Sequence, residues 1–323
     1  MQTPLPVLEA RGLLFMADPH FAGPPPGQRL EGYASQVAAK VAAGLEHAKQ
    51  EQLAPVILGD LFHWPRDNPN GLIVELIDLF RSHQPWVLVG NHDKYQARYT
   101  PDVSLAVLEA AGVVRCLTEP GPVFMLDTGG RRAILGASPD FSPLPRSYPK
   151  PADTTVLWVT HHNIGFRDYQ DKPIKPGEIP GVDWLINGHI HRPQPMQVHG
   201  QTRWVNAGGL TRMQFTRGNM ERRPAAQIWT PEADARGELE RFELPFLPFE
   251  QVFPDQELPP EEAATSAERE SLFVRGLERL AWRRTQEGMG IRQFLTENLD
   301  RTQPAAALVW ELYEEVTRGE TDD

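Results

Sequence analysis

A series of seven short apolar runs, five of them ending in polar residues, constrains the fold of this chain more than any other feature of the sequence. The runs are rich in Val, Ile and Leu, which is typical of buried strands. Apolar residues at helical spacing separate the first three runs, and this alternation predicts an α/β core. With the polar residues that end them, the runs span 12–18, 54–60, 85–93, 131–137, 154–162, 182–191 and 202–209.

The segments between the early runs predict helices. Apolar residues at helical spacing predict one helix around 37–48 and a second around 72–80. Thr100 followed by Pro101 predicts the start of a third helix, because Pro is favoured at the first helical position, and Gly112 is expected to end it.

The sequence changes character after Pro254. Before it, residues 226–230 and 239–246 predict a β-hairpin. Beyond it, Thr265 and Glu268 have the spacing of a capping box, and two or three amphipathic helices are expected to about residue 318.

The charge distribution supports the same division. The net charge is −11, and residues 251–323 hold 16 acidic residues against 8 arginines. The rest of the chain is nearly balanced, so charge neither supports nor excludes nucleic acid as a partner. We therefore predict one domain over 1–250 and an acidic helical extension over 251–323.

Composition indicates a cytoplasmic protein. The 323 residues and 40% hydrophobic content suffice for a packed core, and no apolar run is long enough for a membrane span. The N-terminus lacks the pattern of a secretory signal. Cys116 is the only cysteine, which excludes an internal disulfide and fits a reducing compartment.

The polar residues at the strand ends predict a shared site. Ligands of α/β proteins bind beyond the carboxyl ends of the strands, and seven of the ten histidines fall at such positions. The polar strand-end residues are Asp18, His20, Asp60, His63, Asn91, His92, Asp93, His161, His162, His189 and His191.

This set of side chains predicts a metal site. Carboxylate, imidazole and amide groups suit divalent Mn, Fe or Zn, and Cys116 lies outside every motif. The ligands are too many for one ion, whereas two ions about 3.5–4 Å apart would use them all. Asp60 is the best candidate for the shared carboxylate. The Asp-x-His and His-x-His pairs point in one direction if their backbone is extended.

The ordered motifs DPH, GD, GNHD, HH and GHIH across residues 18–191 resemble the calcineurin-like metallophosphoesterases. Singly the motifs have little specificity, but the ordered set is highly specific. The resemblance implies a sandwich of two mixed sheets flanked by helices, with a dinuclear metal centre. It implies that Asp18, His20, Asp60 and His191 hold one metal, and that Asp60, Asn91, His161 and His189 hold the other. His161 is preferred to His162 because it comes first after its apolar run; the alternative for each residue alone is a turn or core residue.

The resemblance also implies catalytic roles. His92 resembles the family's catalytic histidine, which contacts the phosphate and protonates the leaving oxygen, while the metals activate water for the attack. His63, in GDLFHWPRDNP, resembles a second active-site histidine of the double-strand-break repair nucleases; the alternative is a surface histidine beside Trp64. Asp93 either orients His92 or stabilises its turn.

The flanking sequences resemble the SbcD-type nuclease subunit of the bacterial SbcCD complex. The segments that carry this narrower resemblance are 188–195, 205–212 and 222–246, so the similarity covers roughly residues 12–246. Residues 251–323 are too few for the capping domain plus partner-binding helices of the larger relatives. Preferences for exonuclease or endonuclease cleavage are therefore not carried over.

The sequence thus predicts a Mn²⁺-dependent DNA exonuclease or endonuclease of DNA repair and recombination, with Fe, Zn or Mg as alternative metals. A second interpretation is a metallophosphatase or phosphodiesterase of nucleotides or phosphoproteins, which the acidic charge favours. A third is an inactive subunit that recruits a partner, although the chain retains every expected ligand and His92.

The expected partners are DNA and, through the C-terminal helices, an SbcC-like coiled-coil ATPase. Packing of those helices on their own domain is an equal alternative, a homodimer is left open, and no membrane partner is expected. Six residues near the motifs could stack on bases or pair with phosphates, although packing or a surface role is preferred for each: Trp64, Arg66, Tyr95, Arg98, Arg192 and Arg212.

Overall fold

The computed structural model describes residues 4–166, 174–231, 237–255 and 309–310. The chain divides into two compact units, Met1–Pro259 and Pro260–Asp323. The helices expected from the Thr265 capping box to residue 318 lie outside the described residues, apart from a helical Val309–Trp310. The domain boundary at residue 250 stays a prediction.

The regular elements of the first unit follow the alternation expected from the sequence. The strands are β1 Val7–Glu9, β2 Gly12–Met16, β3 Leu53–Ile57, β4 Trp86–Leu88, β5 Arg115–Leu117, β6 Gly121–Asp127, β7 Arg132–Ser138, β8 Thr154–Thr160, β9 Trp184–Asn187, β10 Gln194–His199, β11 Thr202–Asn206, β12 Ala225–Thr230 and β13 Glu238–Glu243. The helices are α1 Tyr33–Gln50, α2 Asn70–Arg81, α3 Ser104–Ala110 and α4 Arg217–Glu221, followed by a 3₁₀ helix at Phe249–Gln251.

Among the described residues the strands form two mixed sheets. The seven-stranded sheet has the order β1-β6-β7-β8-β9-β11-β10, and the six-stranded sheet has the order β13-β12-β2-β3-β4-β5. In the first, β7, β8, β9 and β11 are parallel, and in the second, β2 to β5 are parallel. The antiparallel pair β12–β13 confirms the predicted hairpin.

In each sheet, the parallel register places the carboxyl ends of neighbouring strands side by side. Met16 pairs with Ile57 at the ends of β2 and β3, and Thr160 pairs with Asn187 at the ends of β8 and β9. The loops that leave these strands therefore meet at one edge of the sandwich. This edge carries the predicted site.

Three apolar layers hold the sheets and their coverings together. Leu58, Leu157 and Trp229 belong to the layer between the sheets. Helices α1 to α3 pack on the outer face of the six-stranded sheet, where Val41 and Phe80 are fully buried. The outer face of the seven-stranded sheet is covered mainly by loops. The fold is thus the expected two-sheet α/β sandwich.

The third helix begins later than predicted. Thr100 and Pro101 lie in a turn closed by the Val103 N–H, which donates to the Thr100 carbonyl oxygen, and α3 starts at Ser104. The Thr100 hydroxyl has no hydrogen-bond partner in the described part of the chain, so it does not cap the helix. The Ser104 N–H donates instead to the carbonyl oxygen of Pro65, and this tertiary contact sets the helix start. Gly112, with φ +71°, follows the last turn as expected.

None of the helices within the described ranges combines the length and the apolar character needed to cross a membrane.

Candidate metal centre

The predicted ligands lie in tight turns at the ends of five strands. The backbone at the Asp-x-His and His-x-His pairs is not extended, so the condition under which each pair would point in one direction is not met. Asp18, His20, Asp60 and His189 all have left-handed backbone, with φ between 49° and 66°. Asp and His are among the non-glycine residues that tolerate this region. The turns fold the side chains of both sheets back toward one point.

One group of possible ligand atoms comes from Asp18, His20, Asp60 and His191, which lie within 4.8 Å of one another. The Nε2 atoms of His20 and His191 are 2.9 Å apart, and His20 Nε2 is 3.5 Å from Asp60 Oδ2. Asp18 Oδ1 accepts a hydrogen bond from the His189 backbone N–H, while its buried Oδ2 has no partner within the described ranges. The group matches the set expected for one metal.

A second group is formed by Asp60, His161 and His189. Asn91 completes it, since its Oδ1 is 2.9 Å from His189 Nδ1 and 3.2 Å from His161 Nε2. Asp60 contributes to both groups, one oxygen toward His20 and the other toward His161. The arrangement fits a binuclear site with Asp60 between the ions, and the individual ligand assignments stay predictions.

The tautomer of His161 shows that this second group suits a cation. Its Nδ1 lies 2.7 Å from the carbonyl oxygen of Leu58, which can only accept, so Nδ1 carries the proton. In the neutral ring Nε2 then presents a lone pair to Asp60 Oδ1 at 3.3 Å and to Asn91 Oδ1. Three electron-rich atoms facing one another require a positive charge between them.

The pKa values of the buried ligands also indicate that the second group suits a cation. Burial lowers the pKa of His161, but the Asp60 carboxylate outweighs burial and raises it to about 10, so a proton occupies the site without metal. Burial opposes ionisation of Asp60, yet His161, His92 and His20 hold its pKa well below the usual range. Burial raises the pKa of Asp18 to about 7, with His161 opposing this rise and Asp60 adding to it.

Close packing fixes Asp60 and His161 in place. A Cβ atom at Gly59, where φ is +93°, would lie 2.3 Å from His161 Nδ1. A Cβ atom at Gly90 would lie 2.3 Å from Asp60 Oδ1. The glycines in the GD and GNHD motifs therefore leave the space that the ligands occupy.

His162 is turned away from the centre. Its Nε2 donates to the carbonyl oxygen of Ser142 at 2.7 Å, and its Nδ1 accepts from the hydroxyl of Thr160. The structure thus places His161, and not His162, within the ligand group.

The third group of facing nitrogens consists of His20, His63 and His92. The rings of His63 and His92 are stacked with centroids 5.3 Å apart, and His63 Nδ1 is 3.4 Å from His20 Nδ1. The His92 backbone N–H donates to Asp60 Oδ1 at 2.8 Å. Both predicted catalytic histidines therefore lie beside the metal-ligand groups.

Asp93 stabilises the turn that carries His92. Its two carboxylate oxygens accept hydrogen bonds from the backbone N–H groups of Gly90 and Phe62, at 2.9 and 3.3 Å. Burial, reinforced by Asp60, raises the pKa of Asp93 to about 7. These contacts support the turn-stabilising interpretation.

The sequence analysis missed a pair of asparagines that holds the GHIH loop. Asn187 and Asn206 end the paired strands β9 and β11, and their amides are hydrogen-bonded at 3.1 Å. Asn206 Nδ2 also donates to the carbonyl oxygens of Ile190 and Arg192. A buried amide at the last position of each strand was the signal available in the sequence.

Two of the arginines near the motifs have packing roles. Arg212 is 4% exposed, and its guanidinium lies 5.3 Å from the ring centre of Phe246 and 5.8 Å from that of Phe249. This confirms the preferred packing role for Arg212. Arg66 lies 3.3 Å from the centre of the Tyr95 ring.

Comparison with known proteins bears on the identity of this site. The sequence pattern of the family described as "Calcineurin-like phosphoesterase" matches residues 13–193, more than half of the chain. The chain belongs to the calcineurin-like phosphoesterase family. Membership implies a metal-dependent hydrolase of phosphoesters, and the His and Asp groups fit the two divalent metals that the family uses.

No curated protein matches the sequence. Among solved structures, the 5'-nucleotidase precursor from Thermus thermophilus aligns with 12% identity and a TM-score of 0.42, covering 82% of this chain and 59% of the other. A hypothetical protein from the same organism aligns with 15% identity and a TM-score of 0.43, covering 72% of this chain and 99% of the other. The chain therefore spans less than two thirds of the nucleotidase precursor. Likeness at this level does not indicate a shared substrate.

Proposed function

We propose that this phosphoesterase cleaves phosphodiester bonds of DNA in the manner of the SbcD-type nucleases, with Mn²⁺ as its metal. One observation carries the proposal. His63 and His92 lie beside the ligand groups, although neither belongs to the two groups that would hold metal. Diester cleavage in DNA expels a poorly stabilised alkoxide, so it gains more from an added proton donor than hydrolysis of an activated ester does.

His92 has the geometry of a proton donor. Its Nδ1 is 2.7 Å from the carbonyl oxygen of His63, which can only accept, so Nδ1 carries a proton in every protonation state. Nε2 is then the nitrogen that gains and releases a proton. The hydrogen bond from the His92 backbone N–H to Asp60 Oδ1 holds the ring beside the metal ligands. His92 would donate its Nε2 proton to the leaving oxygen.

His63 has the geometry of a phosphate-binding residue. If His20 ligates through Nε2, its Nδ1 carries the proton and donates to His63 Nδ1. That bond selects the His63 tautomer with a proton on Nε2. His63 would then donate to a non-bridging phosphate oxygen and hold the diester for attack.

The residues that would hold the metals offer only nitrogen and oxygen atoms, which suits Mn²⁺ and leaves Fe, Zn and Mg as outcomes of a metal test. Two divalent cations held there would polarise the phosphate and lower the pKa of a water molecule toward neutrality. The chain's contribution is to fix their positions through Asp60 and to orient His161 through Leu58, so that Nε2 faces the cation once its proton is displaced.

The second candidate is a metallophosphatase or phosphodiesterase of nucleotides or phosphoproteins. The net charge of −11 mildly favours it, because negative charge repels a long polyanion, although most of that charge lies in residues 251–323 and not in the domain that carries the site. The third candidate, an inactive recruiting subunit, is opposed by the presence of both histidines and of every expected ligand.

One assay separates these functions. Purified full-length protein is incubated with Mn²⁺, Mg²⁺ or chelator and given labelled linear DNA, circular single-stranded DNA, bis-p-nitrophenyl phosphate and a nucleoside monophosphate. The proposal expects Mn²⁺-dependent loss of DNA and of the aryl diester. Hydrolysis of the monophosphate with intact DNA would favour the second candidate, and inertness toward these substrates and toward a phosphopeptide would favour the third. Cleavage of the circular strand would show endonuclease activity.

We further propose that the C-terminal extension docks on an SbcC-like coiled-coil ATPase. Apolar residues at helical spacing in 272–281 and 306–316, within a charge-rich segment, support this proposal, since helices bind partners through such anchors. Homodimer formation is the alternative, and size-exclusion chromatography with light scattering distinguishes the two.

A further inference from the structure

Four cationic side chains form a buried cluster next to the metal centre. We define this cation cluster as Arg29, Lys40, Arg212 and Arg222. Arg29 precedes α1, Lys40 lies within α1, and the other two belong to the segment between β11 and β12. Arg29 is 8% exposed, and Lys40 and Arg212 are each 4% exposed. Because lysine and arginine are almost never fully buried unless they are paired, each of these charges requires a partner.

Shared hydrogen-bond acceptors hold the cation cluster together. Gln36 Oε1 accepts from Arg29 Nη2 at 2.5 Å, and the Gln36 carbonyl oxygen accepts from Lys40 Nζ at 3.2 Å. The Arg212 carbonyl oxygen accepts from Arg29 Nη1 at 2.7 Å, and the carbonyl oxygen of the preceding residue accepts from Arg222 Nη2 at 2.5 Å. All of these acceptors are neutral, so they position the four side chains without balancing their charge.

Acidic groups do not balance the cluster either. Within the described ranges, no ion pair joins a carboxylate to any of its four side chains. Burial, followed by the charges of the three arginines, lowers the pKa of Lys40 to about 7, and no acidic group in the described part of the chain opposes this effect. Glu250 favours the charged form of Arg212, and Asp18, which does the same for Arg222, is a proposed metal ligand. The cluster therefore lacks a negative charge of its own.

Several N–H groups of the cluster are left without an acceptor. Arg29 Nε is buried and has no partner among the described residues. Protonated Lys40 carries three N–H groups and uses one of them, toward Gln36. Arg212 makes its only side-chain hydrogen bond within the described ranges from Nη2, to the Leu247 carbonyl oxygen. Water accepts hydrogen bonds from such groups but does not neutralise them, whereas an oxyanion does both.

Two sets of contacts connect the cluster to the metal centre. One guanidinium of the cluster lies 5.1 Å from the centre of the Tyr33 ring, and the Tyr33 hydroxyl donates to the His20 carbonyl oxygen at 2.9 Å. Arg222 donates to the Gly209 carbonyl oxygen, and the Gly209 N–H donates to the His191 carbonyl oxygen at 3.0 Å. The cluster thus supports the backbone of two proposed metal ligands from outside the ligand groups.

We propose that the cation cluster binds one small tetrahedral oxyanion, such as inorganic phosphate, in a site separate from the metal centre. The anion would accept the unused N–H groups and neutralise charges that otherwise repel one another where water is scarce. Guanidinium groups suit this ligand, because their N–H donors match the geometry of phosphate oxygens. Since the cluster is buried, we expect a free anion and not the phosphate group of a larger ligand. This inference does not depend on the proposed DNA cleavage.

Equilibrium dialysis against radiolabelled phosphate tests the inference. Full-length protein is measured as purified and again after removal of metal on a chelating resin, at constant ionic strength, because phosphate held by metal would be lost with the metal. We expect one saturable site per chain that persists without metal. Lys40→Met and Arg29→Gln should each weaken phosphate binding about 10- to 100-fold, the effect of losing a hydrogen bond between charged groups. Lys40→Met should still fold, since it exchanges a buried charge for an apolar side chain of similar length.

The matched control is Lys49→Met, which removes an exposed charge from the same helix and should leave phosphate binding unchanged. Sulfate should compete with phosphate, whereas a nucleoside monophosphate should not. Absence of a saturable site after metal removal, or an affinity that is unchanged in both cluster variants, would overturn the inference. Competition by the nucleoside monophosphate as strong as that by sulfate would overturn the assignment to a free anion. None of these outcomes depends on whether the protein cleaves DNA.

Discussion

At the residue scale, replacing His92 should separate catalysis from metal binding. His92→Asn retains the backbone N–H that bonds to Asp60 but lacks the proton donor. We expect DNA cleavage to fall by about 10²–10⁴-fold, the usual contribution of a general acid. The measurement is kcat/KM on DNA together with bound metal by elemental analysis. A wild-type rate on DNA would show that another group protonates the leaving oxygen.

His63 should matter most where the leaving group is poor. His63→Ala is expected to reduce DNA cleavage more than hydrolysis of bis-p-nitrophenyl phosphate, because an activated aryl diester needs less positioning. The comparison is the ratio of kcat/KM values for the two substrates in parent and variant. Equal losses on both would contradict a phosphate-steering role and point to a general effect on the metal centre.

Metal binding should release protons from the ligand groups. With a pKa raised to about 10, His161 is protonated at neutral pH without metal, and Asp18 with a pKa of about 7 is partly protonated there. Metal replaces these protons, so affinity should rise with pH. Below about pH 7 both Asp18 and His161 release protons when metal binds. Between about pH 7 and 10 only His161 releases a proton.

Calorimetry in buffers of different ionisation enthalpy measures the protons released on binding. More protons should be released at about pH 6 than at about pH 8. Binding without proton release at either pH would mean that His161 does not ligate through Nε2.

At the element scale, the turn between β3 and Asp60 should tolerate no side chain at Gly59. Alanine would be strained at φ +93°, by about 1–2 kcal/mol for left-handed backbone, and its Cβ would displace His161. We expect Gly59→Ala to lower the melting temperature and to reduce metal affinity. Gly71→Ala is the control, because a Cβ there meets nothing within 4 Å and Gly71 lies in α2. Equal effects of both variants would remove the argument for a crowded turn.

The elements missed in the sequence share a physical cause. Strands β1, β6 and β10 are partly exposed, and β6 has Pro122 before its apolar residues 123–126, so none of them shows the continuous burial that marked the other strands. The start of α3 was misplaced because the tertiary bond between Ser104 and Pro65 decides it. The buried parallel strands were predicted correctly, because both of their faces are covered and their sequences are apolar throughout.

At the scale of the whole molecule, the division after Pro259 makes truncation informative. We expect residues 1–259 to fold, bind metal and keep basal activity, since every proposed ligand and both catalytic histidines lie in this unit. The measurements are circular dichroism, metal content, and cleavage of DNA with and without a coiled-coil ATPase partner. Loss of the folded state would assign the C-terminal helices to the core of the domain, against the docking proposal.

The sequence by itself determined the α/β class, and its resemblance to the calcineurin-like metallophosphoesterases implied the two-sheet sandwich. It also indicated nearly the whole set of candidate site residues, because the polar groups directly follow apolar strands and parallel strands bring such ends to one edge. Tertiary structure alone decided how those groups meet. His20 faces His191 across 171 positions of sequence, and the Leu58 carbonyl sets the tautomer of His161 across 103. Local patterns carry no signal of such long-range contacts. The left-handed turns and the tautomer of His161 depend on those contacts, so they became visible only in the folded chain.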